Sequence, residues 1–211
     1  MTTTSWLLLA AAGVLAATDW LAVADSLDRL EYVAKPATMC ALIGVALTLS
    51  PHIEARRWAF VAALVCSLAG DAFLMLPRDA FVAGLSSFLL AHVAYIVGLR
   101  IGAPELRPLV VSAVPVVIAA ALLGGRIIRS LRERYPELVA PVAAYIGVIA
   151  VMVASALATG EPYAAFGAVL FMASDSLIAW NRFVVRLPWA AVTIMVTYHL
   201  AQGLLVLSLA R

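Results

Sequence analysis

Residues 67–76 read SLAGDAFLML and residues 170–180 read LFMASDSLIAW, so two otherwise apolar runs each carry one aspartate, Asp71 and Asp175. Runs of this kind read as membrane helices, because crossing a hydrocarbon core of about 30 Å takes about 20 consecutive apolar residues. A carboxylate inside such a helix costs about 2.5–3.5 kcal/mol on insertion scales, and intramembrane acids mark functional sites for that reason. Two of them, with Lys, His, Tyr and Gln in neighbouring spans, point to chemistry on a membrane-dissolved substrate.

Working outward, apolar runs recur at about 5–24, 34–50, 58–76, 80–100, 108–124, 138–158, 162–180 and 188–210. They predict an all-α membrane protein of eight transmembrane helices. Composition agrees: 65% of residues are hydrophobic and 12% charged, where soluble domains carry about 25% charge. Mean hydropathy is +1.05. The 211 residues read as one polytopic domain (1–211) of a multi-pass integral membrane protein of the bacterial inner-membrane type. The net charge of +2 is scattered, which speaks against a nucleic-acid partner. Oligomeric state is not readable. Cys40 and Cys66 fall in apolar runs and read as small hydrophobes. The first span lacks a basic leader and is followed by further spans. It reads as a retained helix, although Ala22-Val23-Ala24 imitates a signal-peptidase site.

Connections are short and marked by Pro51, Pro77-Arg78-Asp79, Pro104, Pro136, Glu161-Pro162 and Arg186 with Pro188. The polar stretch from Arg126 to Glu137 reads as a helical extension. The odd-numbered loops hold Arg29, Lys35, Arg78, Arg126, Arg129, Arg132, Arg134, Arg182 and Arg186. The even loops and the C-terminus hold Arg56, Arg57, Arg100, Arg107 and Arg211. Basic residues favour the cytoplasm, so the odd loops are expected inside and both termini outside. Asp71 and Asp175 lie 104 positions apart, and Gly70-Asp71-x-x-Leu74 aligns with Ser174-Asp175-x-x-Ile178. Two parallel four-helix pseudo-repeats, with halves 1–104 and 105–211, would give this pattern.

Helix direction gathers the polar residues. The third and seventh helices both run toward the odd loops, each with its aspartate about 7–8 Å below that interface at 1.5 Å per residue. Lys35 opens the second helix at the same face, and Tyr145 lies about two turns into the sixth. His92, Tyr95, Tyr198, His199 and Gln202 fall deeper, while Asn181 and Arg182 close the seventh helix. Ser67 and Asp71 share a face, as do Tyr198 and Gln202, and His92 and Tyr95. The blander reading makes Ser67, Ser174 and Ser176 packing residues, Lys35 a snorkelling anchor, and Asp19, Asp25 and Asp28 interfacial acids. His52, Arg56 and Arg57 read as a solvated loop. Metal ligation is disfavoured, since no His pair falls at i,i+4, and no phosphate loop or dinucleotide fingerprint is present.

An ordered series of motifs resembles the lysoplasmalogenase family, the YhhN-like integral membrane proteins. It comprises Lys35-Pro36, SLAGD at 67–71 with Leu74, Phe81-x-x-Gly84-x-x-x-Phe88-x-x-x-His92-x-x-Tyr95, Gly167-x-x-x-Phe171-x-x-Ser174-Asp175, Asn181-Arg182-Phe183 and Tyr198-x-x-x-Gln202. The resemblance implies an eight-helix hydrolase cleaving the vinyl ether bond of lysoplasmalogens, a class of lysophospholipid. The implied products are a fatty aldehyde and glycerophosphoethanolamine or glycerophosphocholine, with no cofactor. A vinyl ether hydrolyses by protonation of its β-carbon and capture of the oxocarbenium ion by water. That chemistry needs one neutral carboxyl and one ionised carboxylate, the division of labour in two-carboxylate glycosidases. Asp71 and Asp175 take these roles in either order. His92, Tyr95, Tyr145, Tyr198 and Gln202 would orient water or substrate, and Lys35 and Arg182 would hold a headgroup phosphate.

Two rivals stand beside this reading. An intramembrane aspartyl protease would use two membrane aspartates, but Leu68 occupies the first Gly of Gly-x-Gly-Asp. A proton-coupled small-molecule transporter would use paired halves and buried carboxylates.

Overall fold

A computed structural model describes residues 1–103 and 105–210; Pro104 and Arg211, used above as loop and charge markers, lie outside the described residues. The helices are α1 (Thr3–Ala24), α2 (Asp28–Thr48), α3 (Glu54–Met75), α4 (Phe81–Arg100), α5 (Arg107–Arg134), α6 (Val139–Ala158), α7 (Pro162–Phe183) and α8 (Ala190–Leu207). Among the described residues, eight helices are long and apolar enough to cross a membrane. The protein is a multi-pass integral membrane protein.

Local chemistry sets the helix ends. Thr2 and Ser5 form a reciprocal capping box at the start of α1. Glu161 accepts from the Ala164 amide at the start of α7, and Pro162 fills the first turn, where no amide donor is needed. Gly160, at φ +69°, takes the left-handed turn that ends α6. α2 begins six residues before the run at 34, because Asp28 and Glu31 in its first turn complement the helix dipole. Lys35 therefore lies in the second turn instead of at the helix mouth. Pro36, inside α2, removes the amide that would bond the Tyr32 carbonyl and so loosens the turn carrying Lys35. α5 runs to Arg134 and absorbs most of the polar stretch expected to extend it. α7 continues to Phe183, so Asp175 lies about 12 Å from the helix end at 1.5 Å per residue, deeper than the spacing of apolar residues suggested.

Sequential helices pair as hairpins: α1 with α2, α3 with α4, α5 with α6, α7 with α8. α2 packs on α3 and α6 on α7, while α4 crosses to α6 and α8 crosses to α1 and α2. α5 is peripheral. It packs mainly on α6, and Val110, Val114, Val117 and Leu122 face outward. Arg56, expected in a solvated loop, is helical, and its guanidinium donates to the Gly98 and Ile101 carbonyls at the end of α4.

Glycines in the motifs serve close packing. A Cβ on Gly167 would lie 3.0 Å from the Ala201 carbonyl oxygen and 3.0 Å from the Leu205 amide nitrogen, so α7 and α8 meet backbone to backbone. Gly167→Leu is expected to force them apart at an overpacking cost of about 1–3 kcal/mol. A thermal melt in detergent should show a lower midpoint, whereas Gly13→Leu, whose added Cβ meets nothing within 4 Å, should not move it.

Candidate active site

α3 carries Asp71 one turn before its end, where α2 and α8 pack against it. Asp71 Oδ2 accepts a 2.6 Å hydrogen bond from the Tyr198 hydroxyl. Asp71 Oδ1 lies 3.2 Å from Lys35 Nζ, and the two side chains are 3% and 5% exposed. A charge buried to this degree is tolerable only beside its opposite, and Lys35 is the group placed to supply that opposite to Asp71.

Asp175 has different company. Its Oδ2 accepts a 2.5 Å hydrogen bond from the Tyr145 hydroxyl of α6 and lies 3.1 Å from His92 Nε2 of α4. His92 Nε2 is also 2.9 Å from the Tyr145 oxygen, which closes a three-way cluster. Among the described residues none donates a hydrogen bond to Oδ1, and the side chain is 10% exposed. The arrangement therefore leaves one oxygen of Asp175 free. Among the described residues, no Lys or Arg forms an ion pair with Asp175.

Both aspartates line one cavity of about 260 Å³, together with Glu31, Lys35, Ser174, Asn181 and Tyr198, against apolar walls that include Leu74, Phe88 and Ile194. Ser174 itself is turned toward α8 and donates to the Ile194 carbonyl at 3.2 Å. Among the described residues, no three His, Cys, Asp or Glu side chains converge as a metal-holding group. One cavity thus offers a carboxyl paired with Lys35 and a second held by a tyrosine hydroxyl and a histidine.

Residues 30–209 match the YhhN family. The chain belongs to the YhhN family. It is 40% identical over 149 residues to the protein named lysoplasmalogenase TMEM86B of Homo sapiens, a match covering 71% of this chain and 62% of that one. Over 154 residues it is 38% identical to lysoplasmalogenase TMEM86B of Rattus norvegicus, covering 73% and 62%. Over 177 residues it is 37% identical to the lysoplasmalogenase of Mycobacterium tuberculosis (strain CDC 1551 / Oshkosh), covering 80% and 66%. The chain spans slightly under two thirds of the length of these curated relatives. No solved structure matches it.

In this YhhN protein the residues expected at the site divide into three groups. Asp71, Asp175, Lys35, Tyr198 and Asn181 line the cavity, and His92 and Tyr145 stand behind Asp175. Tyr95 and Gln202 bond each other at 2.5 Å instead, and the Tyr95 ring packs edge-on to Phe60 and Phe171. Ser67 is fully buried without a hydrogen-bond partner and does not line the cavity. Asn181 has a structural bond as well, its side-chain oxygen accepting from the Leu187 amide at 2.7 Å. Arg182 points to the outer surface. It bonds Asp79 at 2.6 Å, holding that carboxyl below its ordinary range, and covers the Phe81 ring at 4.3 Å. Arg182 and Arg186 line a separate outer depression that meets the cavity along Leu74, Ile178, Asn181 and Ile194.

Two residues escaped the sequence reading. Glu31 lines the cavity one helical turn before Lys35, and the i,i+4 spacing of the two was the available signal. Asp19, expected at the interface, is fully buried, 4.0 Å from His199 Nδ1, to which the Trp20 indole donates at 3.1 Å. Packing of α8 onto α1 causes that burial, and no local spacing in α1 announces it.

Proposed function

We propose that this protein is a lysoplasmalogen hydrolase in which Asp175 is the general acid and Asp71 the counter-charge and base. The carrying observation is that two aspartates with opposite company line one cavity, in a chain whose relatives bear the name lysoplasmalogenase. Asp175 donates a proton from its free Oδ1 to the β-carbon of the vinyl ether, leaving an oxocarbenium ion at the α-carbon. Asp71 faces that cation and accepts a proton from the attacking water. The resulting hemiacetal collapses to a fatty aldehyde and a glycerol hydroxyl. Tyr145 and His92 fix the rotamer of Asp175 so that Oδ1 faces the cavity, and Tyr198 does the same for Asp71.

The headgroup would lie toward the odd-loop end. Lys35 offers charge inside the cavity, and Arg182 and Arg186 offer it at the outer depression beyond Asn181, an arrangement suited to the phosphate of glycerophosphoethanolamine or glycerophosphocholine. The odd-loop end would face the cytoplasm of an inner-type bacterial membrane, following its basic residues.

Purified protein given lysoplasmalogen in D2O is the test. The released aldehyde should carry one deuterium on the carbon next to the carbonyl, and an ester lysophospholipid should yield no product. Absence of aldehyde, or aldehyde without that deuterium, would contradict the reading. Proton-driven uptake into vesicles without product would favour a transporter instead. Tyr145→Phe should lower kcat by about tenfold or more, since Asp175 becomes charged as it gives up its proton and a hydrogen bond to a charged group is worth about 1.5–3 kcal/mol. KM should stay near the wild-type value, because that hydroxyl is engaged by Asp175 and His92.

A further inference from the structure

Asp175 lies on the boundary between two spaces of opposite character. On one side is the polar cavity. On the other is a narrow slot of about 60 Å³ between α4, α5, α6 and α7; among the described residues its one charged side chain is Asp175, and its walls are mainly apolar, Leu85, Ile149 and Met172 among them, with Tyr145 and Ser176 as the polar members. Leu74, Phe88 and Ile178 line both spaces, so the two adjoin at the carboxyl.

The slot also has a neighbour on its other side. Ala120, Gly124 and Ile146 line both the slot and an outer furrow of about 810 Å³ along the seam of α5 and α6. The furrow faces the bilayer region: Val110, Val117 and Val151 on its rim are 63%, 58% and 48% exposed, and a Cβ added at Gly125 or Gly147 meets nothing within 4 Å. Small residues at 120, 121, 124 and 125 on α5 and at 143, 147, 150 and 154 on α6 hollow it out.

From this row of adjoining spaces we infer that the hydrocarbon chain of the lysolipid leaves the catalytic cavity through the slot and lies in the α5–α6 furrow, with Ala120 and Gly124 as the residues it passes between the two. The inference rests on the vinyl ether reading of the aspartates and adds to it a chain-length determinant. At about 10–15 Å³ per water-sized group, the slot accommodates about four to six such groups. The carbons next to the vinyl ether fill the slot, and the remainder of a long chain occupies the furrow. α5 has few neighbours besides α6, so the wall most easily displaced is the one beside this passage. A large side chain at the passage separates short chains from long ones.

The experiment compares wild type, Ala120→Phe and Gly124→Leu on lysoplasmalogens with six-carbon and eighteen-carbon alkenyl chains. A Cβ at Gly124 would stand 3.0 Å from the tip of Ile146, a flexible side-chain end, and Ala120 is only half-buried, so both variants should fold. In both, kcat/KM for the long chain should fall by about tenfold or more relative to the short chain, the discrimination expected from crowding an apolar pocket. Gly13→Leu, on the far side of the bundle, should leave the ratio unchanged. An equal effect on both chain lengths overturns the inference and leaves the hydrolase reading standing. A lysophospholipid with a photoreactive group at the chain end gives a readout independent of turnover. Labelling of α5 or α6 beside Gly147 supports the furrow even if wild type releases no aldehyde. Labelling elsewhere, or a crosslink to a second copy at this face, overturns it.

Discussion

Asp175→Asn is expected to lower kcat for aldehyde release by about 10²–10⁴-fold, the range that a positioned general acid contributes. The substitution is close to isosteric, and an Asn side-chain oxygen can still accept the Tyr145 hydroxyl that now bonds Oδ2 at 2.5 Å. The fold and the apolar slot should survive, and KM should change little. What is lost is the proton on the oxygen that faces the cavity. Size-exclusion profile and thermal midpoint should match wild type, which separates a chemical defect from a folding defect. Turnover within a few-fold of wild type would remove Asp175 from the reaction.

Lys35→Met should act mainly on stability. Asp71 and Lys35 are 3.2 Å apart and both nearly inaccessible. Removing the ammonium leaves a buried carboxylate with only Tyr198 to satisfy it, and breaking one side of a buried pair costs about 3–5 kcal/mol. The variant should melt at a clearly lower temperature in detergent or fail to accumulate. Combining it with Asp71→Asn removes the orphaned charge, so the double variant should regain much of the midpoint while remaining inactive. A double variant no more stable than Lys35→Met would show that the pair is not the source of the loss.

Much of this arrangement was legible because membrane helices announce themselves by length and hydropathy, and because successive helices must alternate direction. Those two facts put Asp71 and Asp175 at one end of the bundle, and both line one cavity. Boundaries were legible only where apolar runs ended. α2 starts at Asp28 and α7 ends at Phe183 because polar residues there remain helical, which shifted Lys35 and Asp175 by a turn or more. Partnerships were less legible still. Periodicity gives the face of a residue but not the neighbour that meets it. Tyr95 and Gln202 turned toward each other, Arg182 turned outward to Asp79, and Asp19 was buried by α8. The division of the aspartates, one against Lys35 and one against Tyr145 and His92, depends on contacts between helices distant in sequence.

The two halves show related contacts around their acids. Asp71 of α3 meets residues of α2 and α8, and Asp175 of α7 meets residues of α6 and α4. Each acid thus draws one partner from the preceding helix and one from the last helix of the other half. We propose that two pseudo-repeat halves, 1–104 and 105–211, underlie this exchange.

The most direct measurement is an experimental structure in a lipid nanodisc with a lysolipid whose vinyl ether is replaced by a saturated, uncleavable ether. The ether oxygen and its first chain carbon should lie between the carboxyls of Asp71 and Asp175, with the glycerol toward Lys35 and the chain leaving past Phe88. An ether bound out of reach of either carboxyl, or the two acids facing separate spaces, would contradict the account.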